Sequence, residues 1–214
     1  MRKLILSTVA AIGMATVAVG ALNAQGAPAP GTIDLAAVQS GTYTADPAHS
    51  MVNFHINHLG FNDYIGIFGD VAGTLTIDKD NIGSAKVDVM IPIASVTVPS
   101  AGLKDHLLRP GANGGAPDFF GPTPAPAHFV STTVTSTGEH TATIVGDLTL
   151  NGVTKPVTIE ATLAGMGTNG MNRKATLGFH GRTTIKRSEW NMGFGTAFGI
   201  GDDMPLFISV AFEK

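Results

Sequence analysis

The 214-residue chain has no cysteine, which removes disulfide staples, thiolate metal ligands, a thiol nucleophile and a lipid-anchored N-terminus in one stroke. Charge is also sparse, at 14% Asp, Glu, Lys and Arg against about 25% in ordinary domains. Basic residues are the scarcer sign, 13 against 16 acids, and a nucleic-acid partner would want a basic face. Tryptophan occurs once and tyrosine twice. No G-x-x-x-x-G-K-[ST], H-E-x-x-H or G-x-S-x-G string occurs, which leaves no motif for a phosphate loop, a zinc protease or a nucleophile elbow. No cofactor and no metal site is expected. Long apolar runs are confined to one place. Arg2 and Lys3 precede Leu4 to Leu22, and small residues (Ala21, Ala24, Gly26) follow.

That leading stretch has the charged, apolar and small-residue zones of a secretory signal, expected to span residues 1–24 and to be cleaved, with export to the periplasm. Loss of Arg2 and Lys3 leaves 11 basic against 16 acidic side chains, a net charge of −5. Residues 25–41 read as a flexible Pro/Ala/Gly leader, and 42–214 as a single domain.

What the chain does have is alternation. Val52, Phe54, Ile56 and His58 alternate with Asn53, His55 and Asn57; Val87, Val89 and Ile91 alternate with Lys86, Asp88 and Met90; Ile144 and Leu148 fall on one side of a third run. Successive strand side chains point to opposite faces, so each run offers one apolar and one wettable face. Strands are predicted near 51–59, 66–78, 84–94, 128–136, 140–151, 154–164, 174–186 and 204–213. Many such strands either stack as two sheets or curl into a barrel. A barrel of about eight strands is just wide enough for one small ligand.

Asn151-Gly152 supplies the positive φ angles of a tight hairpin turn. Pro156 cannot donate to a ladder, so its strand begins there or lies on an edge. Ser100 to Leu108 has a serine N-cap and helical spacing. Behind it, PGANGGAPDFFGPTPAPAH is too rich in Pro and Gly for regular structure, yet carries Phe119 and Phe120, which a solvated loop has no reason to hold. Asp46, His49 and Ser50 allow a Ser/His/Asp hydrolase reading, although three members packed this closely at a strand entrance rarely reach triad geometry. His55 and His58 are three apart and fall on opposite strand faces. Arg187 reads as a solvated or ion-paired strand-end residue.

Several longer strings carry a resemblance. YTADPAHSMVNFHINHLG at 43–60, GIFGDVAGTLTID at 66–78, KDHLL at 104–108, DFF at 118–120, GDLTLNGVTKPV at 146–157 and IKRSEW at 185–190 together resemble the YceI-like family of exported bacterial polyisoprenoid binders. The resemblance implies an all-β, antiparallel, lipocalin-like barrel of about eight strands. A short helix would lie in the insertion between the third and fourth strands, with a lipid tail inside. This chain departs from the family at residues 109–117, which lengthen that insertion, and at Ala125, where the family usually carries an aromatic.

On these grounds the chain is expected to sequester a long isoprenoid-type lipid, a polyprenyl phosphate or an isoprenoid quinone, without catalysis. Phe54, Ile56, Val89, Ile91, Leu148 and Phe179 are the expected wall, Phe119 and Phe120 the lid, and His58 an interior polar contact. Transient membrane contact fits such a role, and the oligomeric state stays open. The alternatives are a hydrolase using Ser50 and His49, and a filled-barrel stress or interaction module with a protein partner.

Overall fold

In a computed structural model that describes residues 29–214, the alternating runs form ten antiparallel strands in one sheet. They are β1 (Gly41–Ala45), β2 (Met51–His58), β3 (Asn62–Phe68), β4 (Ala72–Ile77), β5 (Lys86–Ile91), β6 (Ala127–Ser136), β7 (Thr141–Leu150), β8 (Val153–Thr168), β9 (Ala175–Lys186) and β10 (Asp203–Glu213). Eight of them close on themselves in the order β1-β4-β5-β6-β7-β8-β9-β10, because β1 pairs with both β4 and β10. The result is a closed antiparallel lipocalin-like barrel. Its one α-helix among the described residues, α1 (Ala101–Leu108), lies between β5 and β6. The expected signal segment 1–24 lies outside the described residues.

β1 and β2 are one line of wall with a kink in it. Both run along β10, β1 at Phe212–Glu213 and β2 at Leu206–Ser209. Between them the Asp46 carboxylate caps a turn of 3-10 helix over Pro47–His49. Ser50 is buried and takes the place of a backbone partner, accepting from the Ala211 N–H at 3.1 Å and donating to its carbonyl at 3.4 Å. The D-P-A-H-S string is therefore a corner.

The expected single strand over 66–78 is instead two, β3 and β4, broken at Gly69–Val71 with Asp70 at φ 57°. Ser95 pins the break by bonding both the N–H and the carbonyl of Gly69. β3 then leaves the barrel with β2, and the 92–99 segment pairs with it through reciprocal Ile67–Thr97 hydrogen bonds of 3.0 and 2.8 Å. A strand not anticipated, β1, opens the domain. β8 runs four residues past its expected end, across a bulge between Leu163 and Gly165.

Local expectations elsewhere hold. Ser100 Oγ accepts from the Leu103 N–H at 3.2 Å and starts α1. Asn151 and Gly152 both have positive φ, 48° and 78°. Pro156 faces Asp147 on β7, while the pairing of β8 with β9 begins only at Glu160, so the proline sits on a locally free edge. The expected flexible leader differs: Thr32 exchanges two backbone hydrogen bonds with Met166, Val38 packs against a core cluster containing Tyr43 and Leu177, and Gly41 already belongs to β1.

Candidate functional site

The strand directions set two unlike ends. The β2–β3, β5–β6, β7–β8 and β9–β10 connections gather at one end, called the mouth; the β4–β5, β6–β7 and β8–β9 turns and the C-terminus gather at the other. Every second side chain of each strand points inward, and cavities remain between them.

The barrel centre holds a cavity of about 160 Å3. Val89 and Ile91 from β5, Leu148 from β7 and Phe179 from β9 stand on its wall. An apolar hole of about 150 Å3 stays dry and admits a benzene-sized guest. A second cavity, about 200 Å3, continues toward the far end and shares Leu75, Val87, Ile144, Ala161 and Phe179 with the first. The two are consecutive rooms of one apolar passage. Leu35 and Val38, from the segment before β1, stand at its far end.

A third cavity, about 360 Å3 and roomier than these two, lies at the mouth. Phe54, Ile56, His58, Phe119 and Phe120 line it, with His58 exposed at the end of β2 and so at the rim, not the interior position expected. The nine residues singled out from sequence thus divide between two chambers, four at the centre and five at the mouth. The chambers approach one another where Phe54, in the mouth, pairs across the sheet with Leu206, on the central wall, though no residue lines both. Opposite Phe54 stands Gly66, where a Cβ would come within 2.2 Å of the Phe54 ring. Only glycine leaves that ring its place. Phe54, Phe68 and Phe120 then form a run of ring contacts, with centroids 5.2 and 6.0 Å apart, across the junction.

The mouth also holds groups that sequence reading missed. Tyr64, Ser100, His106, Arg187 and Phe194 all line it. Tyr64 was lost because β3 begins before the expected strand. His106 stacks edge-on against Phe119 and Phe194, with centroids at 5.1 and 4.8 Å, and its Nε2 lies 2.7 Å from an Asp118 carboxylate oxygen. Arg109 reaches the same oxygen at 3.1 Å, so the 109–117 insertion is tied back at its two ends. The hydrogen bond from His106, and then the one from Arg109, hold the Asp118 carboxyl below its ordinary value.

Arg187 corrects an expectation. It is 3% exposed, not solvated. Its guanidinium donates to the carbonyls of Gly201 (2.7 Å), Phe194 (2.8 Å), Ile200 (3.3 Å) and Met192, with no carboxylate among these partners. Burial pulls its pKa down, and the nearby Asp202 charge opposes the shift. The side chain is the hub of the Gly-rich 191–201 loop. No local signal marks it, because its acceptors lie up to 14 residues further along. Asn151, at the β7–β8 turn, donates to the carbonyls of both Phe119 and Trp190 and ties that loop to the insertion.

The hydrolase constellation does not assemble. Ser50 is spent on Ala211, while His49 pairs with Asp46 at 2.6 Å and turns an exposed side chain outward. No hydrogen bond joins His49 to Ser50 among the described residues.

Residues 43–212, nearly the whole barrel, match the YceI-like domain. The chain belongs to the YceI-like family. Protein YceI of Shigella flexneri is 41% identical over 145 residues, 67% of this chain and 71% of that protein. Among solved structures, BcnA of Burkholderia cenocepacia superposes with a TM-score of 0.63 at 22% identity, covering 78% of this chain and 98% of BcnA. A polyisoprenoid binding domain from Saccharophagus degradans gives 0.54 at 12% identity, over 82% and 99% of the two chains. At such identities the two structures attest the fold alone.

Proposed function

We propose that this YceI-like protein is an exported, periplasmic binding protein that sequesters a long isoprenoid-type lipid, a polyprenyl phosphate or an isoprenoid quinone, and catalyses nothing. The observation that carries the reading is the pair of carbon-lined rooms along the barrel axis, with a larger chamber beside them at the mouth. Its shape supports a thin flexible tail better than a compact ligand. A Saccharophagus relative in fold is described as a polyisoprenoid binding domain, which points the same way.

In this reading the tail lies against Val89, Ile91, Leu148 and Phe179, with Phe54 and Ile56 at the junction. His58, Tyr64 and His106 offer polar atoms to a head group at the mouth, beside the buried Arg187 charge. Phe119 and Phe120 act as the lid. Burying ~400 Å2 of tail at about 25 cal/mol/Å2 favours binding by roughly 10 kcal/mol, from which association costs subtract several. Carbon walls discriminate poorly between tails of similar width, so selectivity falls to the mouth.

Organic extraction of protein purified from its own envelope, followed by mass spectrometry, tests this. A prenyl lipid near one per protein is expected. Ala161→Phe, which fills the shared wall between the central and far rooms, should cut that occupancy at least ~tenfold with a folded barrel retained. An empty native protein, or occupancy indifferent to Ala161→Phe, would overturn the reading and favour an interaction module.

A further inference from the structure

Around the mouth stand two loop tips that a water-soluble barrel has no reason to make apolar. Leu59-Gly60-Phe61 turns β2 into β3, and Phe61 is 86% exposed. Beside it a turn of 3-10 helix over Thr196–Phe198 holds Phe198, 79% exposed. Leu59 is itself 44% exposed and sits at φ 60°, a left-handed conformation that Leu rarely adopts. A strained backbone that points an apolar side chain at solvent is a hint of use.

The tips are built as a unit. The Gly201 N–H donates to the Asn57 carbonyl at 2.8 Å, Ile200 bridges His58, and the Arg187 guanidinium gathers four carbonyls of the second loop behind them. Several of their N–H groups are bonded within the loops. Phe61 N–H bonds the His58 carbonyl, Gly60 N–H bonds Asn57 Oδ1, and Phe198 N–H bonds the Gly195 carbonyl. Each such bond lowers the cost of taking the tips out of water. Neither Leu59–Phe61 nor Gly193–Gly199 contains a charged residue. Between tip and chamber stands Phe194, half-exposed and part of the mouth wall.

We propose that Phe61, Phe198 and Leu59 form a docking rim that inserts into the interfacial region of a lipid bilayer, setting the mouth directly on the leaflet. This rests on the lipid-binding reading, since a cargo with almost no aqueous solubility must enter from a bilayer. The two tips meet, with a Cβ built on Gly199 only 3.5 Å from Leu59 Cδ2, and form one uncharged collar beside the opening, which suits insertion into a soft interface. The chain carries a net negative charge, so the contact is apolar and needs no anionic lipid.

The test is co-sedimentation with sucrose-loaded vesicles of phosphatidylcholine, alone or with a minor fraction of phosphatidylglycerol. It compares wild type, the double variant Phe61→Ser/Phe198→Ser, and Met171→Ser. Met171 is 95% exposed at the opposite end and serves as control. Wild type should pellet with neutral vesicles at low and high salt. The double variant should lose partition at least ~tenfold, and Met171→Ser should lose none. The docking rim is overturned if the double variant pellets like wild type, or if Met171→Ser falls equally. Binding that needs phosphatidylglycerol and vanishes in salt would also overturn it. So would a wild-type dimer that the double substitution splits, with no vesicle binding by either form, because a second copy would then cover the patch.

Undecaprenyl phosphate supplied from ethanol separates the two proposals. Wild type and double variant should retain it equally through gel filtration, while transfer from vesicles falls only for the variant. If neither form retains it but vesicle partition still depends on Phe61 and Phe198, docking stands and the carrier reading falls.

Discussion

The two ends of this barrel each bury one charge to hold their loops, and they use opposite signs. At the far end Glu213, 7% exposed, collects donors: Asn172 and Asn169 amides at 2.8 to 3.0 Å, the Thr176 hydroxyl and Lys174 at 3.4 Å. At the mouth Arg187 collects acceptors, all of them backbone carbonyls. The anion has a counter-ion and the cation has none among its partners. The tips differ in the same sense. The far-end turns carry Asp78, Lys79, Asp80, Glu139, Arg173 and Lys174 beside the exposed Met171, whereas two of the mouth connections end in Leu59, Phe61 and Phe198 and a third carries Lys104, Asp105 and Arg109. One barrel wall, built by one alternation, thus ends in mostly charged turns on one side and a partly apolar collar on the other.

Breaking the mouth hub should give the largest effect. Arg187→Met keeps the apolar stem but strands the carbonyls of Met192, Phe194, Ile200 and Gly201 beside the 360 Å3 chamber. A loss on the order of 3 kcal/mol is expected in denaturant unfolding. Hydrogen exchange should locate it, with amides of 192–201 opening while β8 and β9 keep their protection. Uniform loss across both ends would mean that the hub supports the whole barrel and the two ends are not separable.

How much of this contrast could be read beforehand follows from what alternation encodes. It fixes which face a residue takes, and so β5, with its strict exposed/half-buried pattern, and β7 were legible, as were the Asn151-Gly152 turn and the Ser100 cap. It does not fix depth along the barrel axis. Val89 and Phe54 look alike in sequence yet stand in different chambers. The break at Gly69–Val71 was illegible because Ser95, 26 residues beyond Gly69, pins it. Arg187 misled for the same reason: a guanidinium reads as surface until a later loop wraps it in carbonyls.

A middle-sized effect is expected from the far-end anion. The Asn172 hydrogen bond, with Asn169 and Lys174 behind it, holds the Glu213 carboxyl below its ordinary 4.5. A carboxyl lowered on folding stabilises above that value, and the contribution is lost as pH falls through the lower folded pKa. Glu213→Gln should therefore cost about 1–2 kcal/mol at neutral pH. It should also flatten the acid limb of the unfolding midpoint against pH. An unchanged acid limb would place the acid sensitivity elsewhere.

The smallest effect separates the ends most cleanly, because it should appear in ligand escape and not in stability. Asp118 is held below its ordinary 3.8 first by His106 and then by Arg109, and it fastens the insertion that carries Phe119 and Phe120. The sign is the same as for Glu213: the fastening is complete above 3.8 and is lost as pH falls below it. The group is half-exposed, so Asp118→Asn should leave the unfolding midpoint in place while speeding release of bound prenyl lipid to acceptor vesicles roughly twofold at neutral pH. Wild type should reach the same rate in acid, and the variant should not accelerate further. Glu213→Gln, acting at the other end, should leave release untouched. If it instead quickens release as much as Asp118→Asn does, lipid leaves through both ends, and the passage is a through-tunnel with two exits.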